Sequence, residues 1–291
     1  MRLGITTPIL TRLPTSHAEW EADGGIEDIA RIAREAERLG YHHLTCSDHV
    51  GIPEPIAAVR GGTYWDPLSV FGYLAAVTER IRFQTHVLVI GYYHPLELAK
   101  RYGTLDRVTN GRLILGLGVG SLREEFDLLG VPFEDRGARA DESLAALRAS
   151  LSQRLPEFHG KYYDYSGFII DPCAMQERVP IWIGGRTLRS LRRAVEHGDG
   201  WVPFGLRSGQ IAEWMQVVKD SEAWERRSEP PEIVLQTERA LDPMREPDRT
   251  LEQVAKMRDA GATIVTARFQ QESLPEFLEQ LAAFAELSGN D

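Results

Sequence analysis

Apolar positions along the 291-residue chain alternate between two rhythms. Short unbroken apolar runs read as strands buried on both faces, and longer stretches with apolar residues every three or four positions read as amphipathic helices. The runs are Arg2–Thr7, His43–Ser47, Ile81–Val89, Arg112–Leu117, Val179–Ile183, Gly200–Pro203, Ile233–Arg239 and Thr263–Ala267. Between them, Ile26, Ile29, Ala30, Ala33, Ala36 and Leu39 share one helical face. Further helices are predicted over about 66–78, Pro95–Val108, about 135–155, Thr187–Glu196, about 208–226 and Thr250–Ala260, with a last one carrying Leu274, Phe277, Leu278, Leu281 and Phe284. Three helices end in glycine just before a strand, at Gly40, Gly198 and Gly261, where a helix C-terminus favours that residue. Strands alternating with helices imply a parallel sheet, and eight such units imply a closed (β/α)8 TIM barrel. With no low-complexity linker, a single domain over 1–291 is expected, with a Tyr- and Gly-rich excursion on the rim at about 156–178.

Composition narrows the setting. A net charge of −10 argues against sustained contact with nucleic acid or an anionic membrane. Any anionic ligand must then be held by a local basic pocket or by helix N-termini. The two cysteines, Cys46 and Cys173, form no metal motif and suggest a reducing compartment. No run of about 20 apolar residues and no secretory leader is present, so a cytoplasmic location is expected.

In a parallel barrel the chemistry sits on the loops after the strands. The fourth strand ends in Gly116, Gly118 and Gly120, alternating with Leu117 and Val119. Two readings fit: a backbone bared for a flat ligand, or tight packing of the barrel interior. The fifth strand ends in Gly184-Gly185-Arg186-Thr187 and runs straight into a helix. Exposed N–H groups, the helix dipole and Arg186 suit a phosphate there, while a Thr187-capped turn is the plainer alternative. Asp48-His49 after the second strand can be an acid–base element, because histidine titrates near neutrality. The alternative is that Asp48 caps a backbone and His49 packs under the loop. His42 and His43 read as structural, and His86 in isolation as a satisfied core residue. Trp65, Tyr92, Tyr93 and Phe204 are candidate walls of an apolar pocket.

Several of these segments together resemble the luciferase-like monooxygenase superfamily, and most closely its branch dependent on the deazaflavin coenzyme F420. They are Ser47-Asp48-His49, the run from His94-Pro95 to Leu113, the glycine ladder with Arg123-Glu124-Glu125-Phe126, and Pro180–Gly185 followed by Asp199-Gly200-Trp201. The match runs from Met1 to Phe204; the last third matches only as barrel-completing units. The resemblance implies a cofactor ring across the strand ends, with its phosphate at Gly184, Gly185, Arg186 and Thr187. It implies His49 as proton donor or acceptor beside the ring, with Asp48 next to it. It also implies a bulge with a non-proline cis peptide near His86-Val87 under the ring, and contacts from Gly118 and Gly120. One departure stands out: sugar-phosphate dehydrogenases of that branch carry a glutamate after the last ladder glycine, where this chain has Ser121. Glu124 and Glu125 lie nearby but shifted, so a second acid is left unassigned.

The activity expected is hydride transfer between coenzyme F420 and a small organic substrate. The alternative is an FMN-dependent monooxygenase on the same scaffold. A metal-dependent hydrolase using His49, His86 and His94 is disfavoured by the missing His-x-His on the first strand. No metal is expected, nor a nucleic-acid or membrane partner, and the resemblance suggests a homodimer.

Overall fold

The computed structural model describes residues 1–289; the last two positions of the expected domain, 290 and 291, lie outside the described residues. Eight strands form the central sheet: β1 Arg2–Ile5, β2 His43–Cys46, β3 Arg82–Thr85, β4 Leu113–Gly118, β5 Ile181–Gly184, β6 Gly200–Val202, β7 Glu232–Gln236 and β8 Ile264–Ala267. Neighbours pair in parallel in chain order, β8 pairs with β1, and β4 pairs with β5, so the ring closes. This is the (β/α)8 barrel expected from the alternation.

Eight main helices surround the ring: α1 Ile26–Arg38, α2 Pro67–Ala75, α3 Pro95–Val108, α4 Arg136–Ser150, α5 Leu188–His197, α6 Ser208–Lys219, α7 Pro247–Asp259 and α8 Leu274–Leu287. Their starts follow from local chemistry. Asp66, Thr187 and Ser273 accept from the backbone N–H three residues on, and the His94 ring accepts from Leu96 N. Ile29, Ala30, Ile32, Ala33 and Ala36 of α1 are buried against the sheet. Each fully buried Leu or Ile contributes about 1.5–3 kcal/mol, and the layer between ring and helices is built largely of such residues.

Inside the ring, inward positions alternate along each strand. Ile114, Trp182, Val202, Val234 and Ile264 pack together at its centre, with Val87 above them. The His43 ring fills the space left by Gly4, where a Cβ would collide with it. His42 stacks on Trp182 with ring centroids 6.2 Å apart. These two histidines are structural, as their sequence position suggested. Burial pushes His42 down to about 4 and His43 well below its ordinary value.

Four expected boundaries are corrected. The run Ile81–Val89 is not one strand. Gln84 pairs with Ile114 and Leu88 with Leu117, so four steps on one chain meet three on the other. The extra residue makes a bulge, and the His86–Val87 peptide within it is cis. The helix expected to about 226 stops at Lys219, because Ser221 caps a separate short turn, Glu222–Glu225, by accepting from Trp224 N. The helix expected to 155 ends at Ser150. The long loop from Asp48 to Tyr64 contains a helix, Glu54–Arg60, and a short strand, Thr63–Tyr64. That strand pairs antiparallel with Thr11–Arg12, tying the loops after β1 and β2 into one ribbon. The rim excursion carries a small hairpin, Phe158–His159 with Asp164–Tyr165.

Candidate active site

A cavity of about 1100 Å³ opens at the C-terminal ends of the strands. It is lined by all ten residues singled out from the sequence: Asp48, His49, His86, Val87, Gly118, Gly120, Gly184, Gly185, Arg186 and Thr187. His49 and the Gly184-Gly185 turn therefore face one space at one end of the ring.

His49 follows β2, and its Nδ1 lies 2.8 Å from Glu125 Oε2. Glu125 sits on Arg123–Leu129, a short helix that the sequence reading did not anticipate. Its carboxylate also accepts from the Tyr92 hydroxyl at 2.7 Å, Val50 N at 2.6 Å and Gly51 N at 3.2 Å. Burial alone would raise Glu125, but hydrogen bonds from His49 and Tyr92 hold it below the ordinary glutamate value. An acceptor-only carboxylate requires the proton of neutral His49 to sit on Nδ1. Nε2 then offers a lone pair, and it has no partner among the described residues. Tyr64 meets the ring edge-on at 4.6 Å and fixes its plane. Asp48 is buried and accepts from the Tyr93 hydroxyl at 3.1 Å. Burial raises its carboxyl above the ordinary value, only partly countered by Tyr93.

His86 lies on the cavity floor. Its Nδ1 is 3.2 Å from the Gln84 amide, which also donates to Thr85 O, and its Nε2 is 2.9 Å from the Gln236 amide. Each ring nitrogen has a glutamine amide beside it, of which a neutral ring accepts an N–H from only one, and burial pushes the group down to about 4. The ring lines the cavity, held between the two glutamines.

The glycine ladder is explained by packing. A Cβ on Gly118 would sit 2.8 Å from a Val87 methyl, and one on Gly184 would sit 2.9 Å from the other. The bared strand ends therefore seat the bulge, and Val87, not the glycine backbone, forms the floor between them.

At the far side, Thr187 caps α5 by accepting from Ser190 N at 3.2 Å. The remaining first-turn N–H groups of a helix have no intrahelical partner and favour an anion. Arg186 and Arg189 are exposed beside them. Arg136 also lines the cavity, as does Arg193, which is paired with Asp141. Of the expected aromatic walls, Tyr92 and Phe204 line the cavity; Trp65 packs against the core and Tyr93 holds Asp48. Glu125 had been noted without a role; residues missed in the sequence include Tyr64, Arg136, Gln236 and Arg268. His94 caps α3, and among the described residues no group of three or more His, Cys, Asp or Glu side chains is arranged to hold a metal. Among the described residues no helix is long and apolar enough to cross a membrane.

A Val87 floor, an imidazole wall and a helix start with unpaired N–H groups have a shape and polarity that a flat, phosphorylated ring would fit. Residues 1–287 match the luciferase-like monooxygenase family, and the chain belongs to it. Two uncharacterised proteins of Mycobacterium tuberculosis are each 29% identical to it. One aligns over 251 residues, 82% of this chain and 84% of its own length; the other aligns over 278 residues, 90% and 95%. Among solved structures, a monooxygenase from Streptomyces bottropensis superposes with a TM-score of 0.76 at 21% identity, covering 98% of both chains. An F420-dependent secondary alcohol dehydrogenase, in complex with an F420–acetone adduct, reaches 0.77 at 13%, covering 99% of this chain and 98% of its own. The oxygenating constituent of 3,6-diketocamphane monooxygenase from Pseudomonas putida, in complex with FMN, reaches 0.74 at 16%, covering 98% and 97%. At these identities the structural likeness speaks for the fold.

Proposed function

We propose that the protein is an oxidoreductase that moves a hydride between a deazaflavin of the coenzyme F420 type and a small organic substrate. When bound, such a ring supplies a two-electron hydride carrier, while the protein supplies position and proton handling. The observation that carries the reading is the His49–Glu125 pair. With its proton held on Nδ1, His49 presents Nε2 to the cavity as a base for a substrate hydroxyl. Protonated, the same nitrogen returns the proton to a substrate oxygen in the reverse direction. Val87 and the bulge would support one face of the ring. Gly184, Gly185, Arg186 and Thr187 would hold the phosphate. The dehydrogenase that matches this fold at a TM-score of 0.77 is consistent with the proposal.

An FMN-dependent monooxygenase is the second reading, favoured by the family's own description and by the matched monooxygenases. Fluorescence titration of the purified protein with each cofactor separates the two. Saturable binding of F420 with none of FMN is the expected result; the reverse would make the monooxygenase the better assignment.

A further inference from the structure

Strand alternation aims a second charged group into the cavity. Ile264 and Thr266 of β8 point inward, Ile264 into the central cluster and Thr266 toward His43 at 3.3 Å. Val265 and Ala267 point out to the helices, and Phe269 packs on Phe277 and Phe284 of α8. Arg268 therefore continues the inward row, and it lines the cavity. Its backbone is pinned: its carbonyl accepts from Leu241 N at 2.7 Å, and its N–H reaches Thr237 Oγ1 at 3.5 Å.

Its guanidinium, by contrast, has no ion pair, hydrogen bond or ring contact among the described residues. A half-buried arginine is normally paired, because its five donors lose water on burial. Here burial pulls its basicity down and no partner offsets it. Two carboxylates of the cavity are engaged elsewhere. Glu21 accepts from Ile9 N, Ala18 N and Gln271, and Asp48 accepts from Tyr93. On the adjoining strand end, Thr6 shares the inward side with Gly4 and lines the same cavity. Its N–H is bonded to Ala267 O at 2.9 Å, which places it beside Arg268, and its Oγ1 is buried without a partner. The unpaired guanidinium offers five N–H donors, and the hydroxyl on the adjoining strand end can add one more.

We propose that Arg268, with Thr6 beside it, is the docking point for a carboxylate of the substrate, so that the protein acts on small organic acids. This deepens the oxidoreductase reading and rests on it. The carboxylate anchors the molecule from β8 and β1, while His49, after the next strand, meets its reacting oxygen. The same donors would also suit a carbonyl oxygen of a cofactor ring, and the test is arranged to tell these sources apart.

The test titrates the parent protein, Arg268→Met, Arg268→Lys and Thr6→Val with benzoate and hexanoate. Benzamide and hexanamide serve as neutral counterparts, and F420 and FMN affinities are measured in parallel by fluorescence. Expected results are carboxylate binding to the parent, weakened roughly tenfold or more in Arg268→Met and a few-fold in Thr6→Val. Arg268→Lys should retain part of it, the amides should bind poorly throughout, and cofactor affinity should change less than about twofold. The thermal midpoint of Arg268→Met should equal or exceed the parent's, since the charge removed is unpaired. Carboxylates that ignore the parent, or that bind Arg268→Met as well as the parent, overturn the proposal. So does a loss confined to the cofactor, which would assign the guanidinium to the ring, and so does a lowered midpoint, which would make Arg268 structural. Cofactor binding without carboxylate binding would sink this proposal alone. Carboxylate binding with neither cofactor would instead sink the oxidoreductase reading.

Discussion

Glu125 Oε2 lies 2.8 Å from His49 Nδ1, although the two residues follow different strands and are 76 positions apart in the chain. That contact decides which ring nitrogen faces the cavity. His49→Ala should lower turnover by roughly 10²–10⁴ while cofactor affinity stays near the parent value. A variant with full turnover would remove His49 from the mechanism.

Glu125→Gln keeps the shape but removes the charge that holds the proton on Nδ1. Turnover should fall at least roughly tenfold, again with little change in cofactor affinity. Steady-state rates set beside fluorescence titration make the comparison. Equal losses in both would mark Glu125 as a support of the loop only.

The seating of Val87 can be tested without any cofactor. Gly118→Ala or Gly184→Ala places a methyl within 2.8–2.9 Å of Val87 and should destabilise the fold by about 1–3 kcal/mol. Adding Val87→Ala to either should recover part of the loss, as expected for residues in contact. Independent, additive effects in urea unfolding would argue against the seat.

Stability should fall as the solution is acidified, and the direction follows from buried His43 and half-buried His42 and His86. His42 and His86 are held near 4 in the folded chain, with His43 also low, against 6.5 when exposed. Their contribution is complete above about 6.5 and is lost as pH falls toward 4. The full gap is worth about 3 kcal/mol for each of His42 and His86. Glu125 acts in the same sense lower down, since its folded value is depressed. Urea midpoints that stay level from pH 7.5 to 5 would contradict this account.

The arginines at the α5 start predict a salt-sensitive effect. Arg186→Ala or Arg189→Ala should each weaken cofactor binding by about two- to fivefold at low ionic strength. The loss should shrink as salt is added, because both side chains are exposed. Repeating the titration with a deazaflavin analogue that lacks the phosphate should abolish the difference.

The ring of strands was legible because each strand is buried on both faces and each helix shows one apolar face. The apolar pattern hid the bulge, since Val87 to Ile90 reads as a smooth run whatever its pairing; only the family resemblance placed it near His86-Val87, where it lies. The glycines were recognised as small for a reason, yet what fills them comes from a neighbouring strand and leaves no local mark. Glu125 was noted beside the ladder, but with no helix expected there, which of the two glutamates turns inward went unread. A signal did exist, since Glu125 falls on the same helical face as Leu122, Phe126 and Leu129. Arg268 could have been found by extending the inward alternation of Ile264 and Thr266 one step past the strand.

The ribbon joining Thr11–Arg12 to Thr63–Tyr64 has a consequence for how the mouth changes shape. Trp65 N bonded to Leu10 O and Arg12 bonded to Thr63 add to the pairing, so two loops with separate roots form a single leaf. Tyr64 belongs to that leaf and also braces the His49 ring. A displacement of that leaf would remove the Tyr64 brace and leave the imidazole held through Glu125 alone, so the shape of the mouth and the setting of the proton-transfer group are linked.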